Sequence, residues 1–235
     1  MNVPSLFDFG VEILSRQIDY TPVGKMHQLL AYYFEKAVRK EIRRLHVSCP
    51  PQHAKSTWLT IATAYGFGLD PYMKVIRACY AEKLSLRDSL ATKRLIQSEV
   101  FQKYFGEYPL VERSSHRWGF NWPGSDGRPN FISASVGAPG IGESASLCIA
   151  DDLLSGMEAA ESEADRDAAW YAMSSGLLTR LPQDGVLISI ATRWSEDDPP
   201  GRLIKLYEAN PGKTPPLVYV NVKWNGQYEE TTYGD

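Results

Sequence analysis

Short apolar runs that break off into polar, chemistry-bearing residues constrain this chain most. Residues 45–49 lead into Pro50-Pro51-Gln52-His53-Ala54, residues 147–150 into Asp151-Asp152, and residues 186–191 into Thr192-Arg193. Longer amphipathic stretches separate them. Strand-length runs alternating with helical periodicity predict βαβ units and a mostly parallel sheet with helices on both faces, a three-layer α/β fold. Such folds place ligands at the carboxyl ends of their strands, so the chemistry is expected just after Cys49, Ala150 and Ala191.

The remaining pattern fills in this frame. Helices are predicted over 26–45, 55–67, 82–104, 161–178 and 201–209, and further strands over 74–80, 131–136 and 217–222. Residues 106–130 read as turns and exposed hairpins, and 138–142 as a loop. Residues 1–24 are expected to form an N-terminal extension, 25–225 the main domain, and 226–235 a tail or the start of a linker. A chain of 235 residues can bury a full core. It has no apolar stretch approaching the roughly 18–20 residues of a membrane helix, and its first residues lack the basic start and long apolar core expected of a signal peptide. Its three cysteines, Cys49, Cys79 and Cys148, form no CxxC pair. They suit buried positions in a reducing cytoplasmic compartment. The net charge of −3 lacks the basic excess of a domain that lives on nucleic acid. Any DNA contact is therefore expected to be local, transient or supplied by a partner or a further domain.

The segment Ser48-Cys49-Pro50-Pro51-Gln52-His53-Ala54-Lys55-Ser56-Thr57 sits between a strand and a helix, where a phosphate-binding loop belongs. Backbone N–H groups and the helix dipole favour an anion there. Lys55 would meet the β- and γ-phosphates of ATP, and Ser56 would offer its hydroxyl to Mg²⁺. Cys49 and Ala54 stand at the two glycine positions of the usual pattern, and a Cβ at Ala54 resists positive φ. A helix start with an exposed lysine is the competing reading. Asp151, at the end of an apolar strand, suits an Mg²⁺ carboxylate, and Asp152 a group that positions or deprotonates water. Alternatively, one of the pair caps a turn. Thr192, at the third strand end, is placed to sense a γ-phosphate.

At this point the strings Pro-Pro-Gln-His-Ala-Lys-Ser, Ile-Ala-Asp-Asp, Leu-Leu-Thr-Arg-Leu and Ala-Thr-Arg-Trp-Ser-Glu-Asp-Asp-Pro-Pro-Gly-Arg-Leu resemble the ATPase half of tailed-phage terminase large subunits, in order and spacing, over about residues 20–225. The resemblance implies an ASCE-type (RecA-like) P-loop NTPase fold and a homo-oligomeric ring on a portal that pumps double-stranded DNA into a procapsid in the host cytoplasm, with a small terminase subunit as partner. It implies Walker A roles for Lys55 and Ser56, Walker B roles for Asp151 and Asp152, and a coupling motif in Thr192 and Arg193. Gln52, His53, Ala54 and Thr57 complete the implied nucleotide loop. The arginine that many members carry before the Walker B strand is here Glu143; Arg113, Arg117, Arg128, Arg180 and Arg193 are the alternatives. Full terminases continue into a nuclease domain. The expectation is a piece of such a protein, or one product of a split gene, without nuclease activity.

Other residues keep two readings. Gln28 is placed to read an adenine edge, or is a solvated helix residue. Lys36, Arg39, Lys40, Arg43 and Arg44 form a face for DNA phosphates or a neighbouring subunit, or the solvent side of an amphipathic helix. Trp118, Phe120 and Trp122 stack on nucleic acid or pack a hairpin. A helicase-type remodelling ATPase and a non-hydrolysing P-loop module are the alternative functions.

Overall fold

The computed structural model describes residues 3–16, 24–138 and 142–235. Buried apolar strands must satisfy their backbone by pairing, and helices with one apolar face must bury it on the sheet so formed. The result is a nine-stranded sheet. Its parallel middle runs β5 (Phe131–Ser135), β2 (Val75–Cys79), β6 (Leu147–Asp151), β7 (Val186–Ala191), β1 (Arg44–Ser48) and β8 (Leu217–Val222). Antiparallel hairpins finish both sides: β3 (Leu110–Ser114) and β4 (Arg117–Phe120) beyond β5, and β9 (Tyr228–Tyr233) beyond β8. This is the expected three-layer, mostly parallel α/β architecture.

Strand side chains alternate between faces, and two core clusters follow. Val75, Ile149 and Ile188 pack under α1 (Leu6–Ser15), α2 (Lys25–Val38), α3 (Lys55–Leu69) and α5 (Glu99–Phe105). Ile76, Cys148 and Leu187 pack under α7 (Glu163–Tyr171) and α8 (Pro199–Glu208). The helix α4 (Glu82–Ile96) lies beside α3 over β2 and β5, and the short α6 (Met157–Glu161) precedes α7. Among the described residues no helix is long and apolar enough to cross a membrane. All three cysteines are buried and free. Burial pushes their thiols up, Cys49 to about 11 and Cys79 and Cys148 to about 12.

The structure corrects several boundaries. Within 1–24, expected as an N-terminal extension, α1 packs into the main core through Leu6, Phe9 and Ile13, each contributing roughly 1.5–3 kcal/mol of burial. Gly10 lets α1 approach α3, since a Cβ there would sit 2.4 Å from the Trp58 ring. The helix expected to reach residue 45 stops at Val38, because Lys40 turns the chain with φ 64°. That break dissolves the basic face. Arg39 pairs with Glu35, Lys40 with Asp184, and Arg43 donates to the Gln183 carbonyl. Arg44 is buried against Tyr207 and the Gly185 carbonyl. The helix expected over 82–104 is two, because Ser98 caps a new helix with its side chain. The helix expected over 161–178 passes into a π-helical stretch at Ala172–Leu177. Residues 226–235 include β9, paired along β8, rather than a bare tail. Trp118 is buried and stacked on Phe131 at 4.8 Å, so the hairpin reading of these aromatics is the one the fold takes. Residues 139–141 of the expected 138–142 loop lie outside the described residues.

On the second face His46 is completely buried, 3.0 Å from Ser189 and stacked on Tyr219. Burial, aided by the charges of Arg193 and Lys55, holds its pKa down to about 3. The folded pKa is depressed, so the unfolded chain takes up this proton first as pH falls below about 6.5. We expect this residue alone to withdraw roughly 2 kcal/mol of stability between pH 7 and pH 5. NMR titration should find the His46 ring neutral throughout that window, and a ring that protonates near pH 6.5 in the folded protein would contradict the assignment.

Candidate functional site

The strand ends of β1, β2, β6 and β7 open on the same edge of the sheet, as their parallel pairing requires. Beyond β1, the Cys49 amide donates to the Ala191 carbonyl at 3.1 Å, so the loop leaves the sheet tied to β7. Gln52 and Ala54 then take left-handed backbone angles, φ 62° and 53°. For an alanine this conformation costs roughly 1–2 kcal/mol. Ala54 is also the cap of α3 and offers no side-chain hydrogen bond. The first-turn N–H groups therefore lack a side-chain cap and remain available to an anion.

Lys55 is 6% exposed, not the solvated lysine of the competing reading. Its ammonium donates to the Cys49 carbonyl at 3.1 Å and to Thr192 Oγ1 at 3.0 Å, and lies 3.6 Å from Asp152. Thr192 Oγ1 in turn donates to the Cys49 carbonyl, and the Thr192 amide donates to Asp152 Oδ1 at 3.2 Å. Beside this group, Ser56 Oγ donates to Asp151 Oδ1 at 3.0 Å. Asp152 sits at φ 46°, a third left-handed residue at this edge. Burial pushes its carboxyl pKa up; the Lys55 ammonium opposes this and the charge of Asp151 adds to it. A carboxylate so raised is a better proton acceptor than a solvated one. Two hard oxygen donors, the Ser56 hydroxyl and the Asp151 carboxylate, suit a divalent cation that draws its remaining ligands from phosphate and water.

These groups line a cavity of about 960 Å³. Of the residues singled out in the sequence, Gln52, His53, Ala54, Lys55, Ser56, Thr57, Asp151, Asp152 and Thr192 all face it. Two others do not. The Arg193 guanidinium is held by Asp198 at 2.9 Å, the Ser195 carbonyl at 3.0 Å and Tyr219 at 3.3 Å. Gln28 is exposed on α2, and it is its neighbour His27 that stacks on Trp58 of α3. Nor do Arg113, Arg117, Arg128 or Arg180 line the cavity, and Glu143 pairs with Arg128 at 3.6 Å.

Sequence reasoning missed the far wall. Arg87 and Arg94, two turns apart on α4, line the cavity with Leu84, Ala91 and Tyr80. Arg77, in the middle of β2, reaches Asp151. A charged residue inside the fully buried run Val75–Cys79 was the available signal, since central strands seldom carry one.

The motif around Asp198 is a clamp. Its carboxylate caps α8 at the Gly201 amide (2.9 Å) and also receives the Trp194 amide (3.1 Å) and Arg193. Gly201 is required by close approach: a Cβ would fall 2.1 Å from the Glu196 carbonyl oxygen.

No protein-family model and no curated protein matches the sequence. Among solved structures, the chain is similar to the HK97 bacteriophage large terminase, with a TM-score of 0.52 and 12% identity over 86% of this chain and 41% of that one. It thus spans about two fifths of that terminase's length and shares its fold. Dbp5 of S. cerevisiae, solved with nup159, gle1, ip6 and adp, aligns at a TM-score of 0.47 and 9% identity, over 83% of this chain and 48% of that one.

Two outcomes are expected from this geometry. Ala54→Gly should leave the protein as stable as the parent or raise its stability by about 1 kcal/mol, against the usual loss for Ala→Gly in a helix. Asp198→Ala should cost roughly 2–4 kcal/mol, because it removes a cap and the carboxylate partner of Arg193. Urea unfolding of both variants checks the two values.

Proposed function

We propose that this chain is the ATP-hydrolysing motor domain of a viral DNA-packaging terminase, coupling Mg-ATP hydrolysis to translocation of double-stranded DNA into a procapsid. The observation that carries the reading is the placement of Lys55. A buried ammonium at the floor of a large cavity is held by weak partners, a carbonyl and a hydroxyl, within reach of Asp152 and beside the Ser56–Asp151 pair. Triphosphate oxygens are stronger acceptors for that ammonium. The likeness of fold to a phage large terminase supports the choice among P-loop motors.

In this reading the loop 49–54 and the first turn of α3 bind the phosphates through backbone N–H groups, and Lys55 turns to the β- and γ-phosphates. Gln52, His53 and Thr57 complete the wall. Ser56 and Asp151 would hold Mg²⁺, which when bound neutralises phosphate charge. Asp152 orients the attacking water and accepts its proton. Thr192, now bonded to Lys55 and Cys49, exchanges those bonds for the γ-phosphate. Arg193 serves as the link: the chain passes from Thr192 straight into the Asp198 clamp and α8, so a displacement at the phosphate reaches α8. The full protein would work as a homo-oligomeric ring on a portal in the host cytoplasm, with a small subunit as partner and a nuclease domain following this one.

Calorimetric titration of a slowly hydrolysed ATP analogue with Mg²⁺ tests the reading. The native chain should bind, and Lys55→Ala should weaken binding ten- to a hundredfold, the worth of charge-assisted hydrogen bonds of roughly 1.5–3 kcal/mol. No binding at millimolar nucleotide, or equal binding by the variant, would reject the site. Binding without DNA-stimulated turnover would favour a non-hydrolysing module, a reading that Ala54 at a glycine position supports.

A further inference from the structure

Arg77 is fully buried in the centre of β2. One of its terminal nitrogens meets both Asp151 Oδ2 and Asp88 Oδ2, the latter at 2.9 Å. The other donates to Thr60 Oγ1 of α3 at 2.8 Å. Asp88, on α4, is itself buried, and its second oxygen is bonded to Arg87 at 3.0 Å on the cavity wall. Removing a guanidinium from water is costly unless it is paired and hydrogen-bonded, and an apolar side chain would serve packing alone as well. The guanidinium instead makes directed contacts with Asp151, Asp88 and Thr60 that a hydrophobic residue could not make.

What it does follows from the two oxygens of Asp151. Oδ1 accepts from Ser56, and Oδ2 is taken by Arg77. Rotation of the carboxylate would break both contacts, so its plane is fixed. Arg77 is fixed in turn by Asp88 and Thr60, on two different helices. We infer that Arg77 is a positioning residue: it holds Asp151 so that Oδ1, beside the Ser56 hydroxyl, is presented to the divalent cation of a bound nucleotide. This inference rests on the Mg-nucleotide reading above. Partners that orient a metal-binding carboxylate typically change metal affinity ten- to a hundredfold when removed.

The test is calorimetric titration of the slowly hydrolysed ATP analogue into the full chain, once with Mg²⁺ and once with EDTA. The ratio of the two affinities measures how much the cation helps. Arg77→Met should lower this ratio about tenfold and change the EDTA affinity, set by Lys55 and the loop, less than twofold. Arg77→Lys, which keeps the charge, should recover part of the ratio. The double variant R77M/D88L keeps the net charge of the cluster and replaces the ion pair by apolar groups. It should fold as stably as the parent and still show the lowered ratio, and it decides the matter if R77M does not fold. A ratio within twofold of the parent in the folded double variant would make Arg77 a structural counter-ion only. Nucleotide binding by the parent that Mg²⁺ does not strengthen would overturn this inference and leave the phosphate loop standing. No binding in either condition would overturn the nucleotide reading and this inference with it.

Discussion

A single buried ammonium organises the working edge of this protein. Lys55 is inside the fold, yet a lysine is buried only where its charge is answered. The answers come from three separate pieces of chain: the Cys49 carbonyl after β1, Asp152 after β6 and Thr192 after β7. These strands are neighbours in the order β6-β7-β1. The ammonium therefore ties together three loops that have no sequence proximity, and any group that competes for it disturbs all three.

The spacing of the sheet explains why the arrangement has room for a ligand. Strand β7 lies between β1 and β6, so the loop that begins α3 and the carboxylates that end β6 stand two strand spacings apart, about 10 Å. Lys55 and Ser56 reach across that interval from the first turn of α3, to Thr192 and Asp152 and to Asp151 respectively. A direct β1–β6 neighbour relation would close the gap. Left-handed angles at Gln52, Ala54 and Asp152 concentrate backbone strain on the same edge, the pattern of a site shaped for something other than stability.

Around the cavity the polar groups divide into two systems. Asp151, Arg77, Asp88 and Thr60 lock β6, β2, α4 and α3 together on one side. Asp198 locks the segment after β7 to the start of α8 on the other. The first supplies Asp151, Asp88 and Thr60 to the cavity wall, and the second holds the amide of Trp194, which also lines it.

The sequence by itself determined much of this. Apolar runs of strand length, with polar residues at their ends, specify a parallel sheet and the edge where its chemistry lies, because backbone pairing and helix burial leave few other solutions. The same reasoning led to Lys55, Ser56, Asp151, Asp152 and Thr192: Asp151 closes β6, Asp152 and Thr192 follow β6 and β7, and Lys55 and Ser56 open the helix after the loop 49–54, and all five line the cavity. Helix ends were less legible, since one left-handed residue at Lys40 or one capping serine at Ser98 overrides a continuing periodicity. Only the tertiary structure decided what depends on the order of strands and on side chains meeting across the sheet. It turned Arg193 into the Asp198 clamp, broke the basic stripe of residues 36–44 into separate pairs, and placed Arg87 and Arg94 on the cavity wall. It brought Arg77 to Asp151 across two adjacent strands whose residues are far apart in the chain. Local patterns report which way a side chain leaves its own strand or helix; what it meets there is set by elements that the local pattern does not contain.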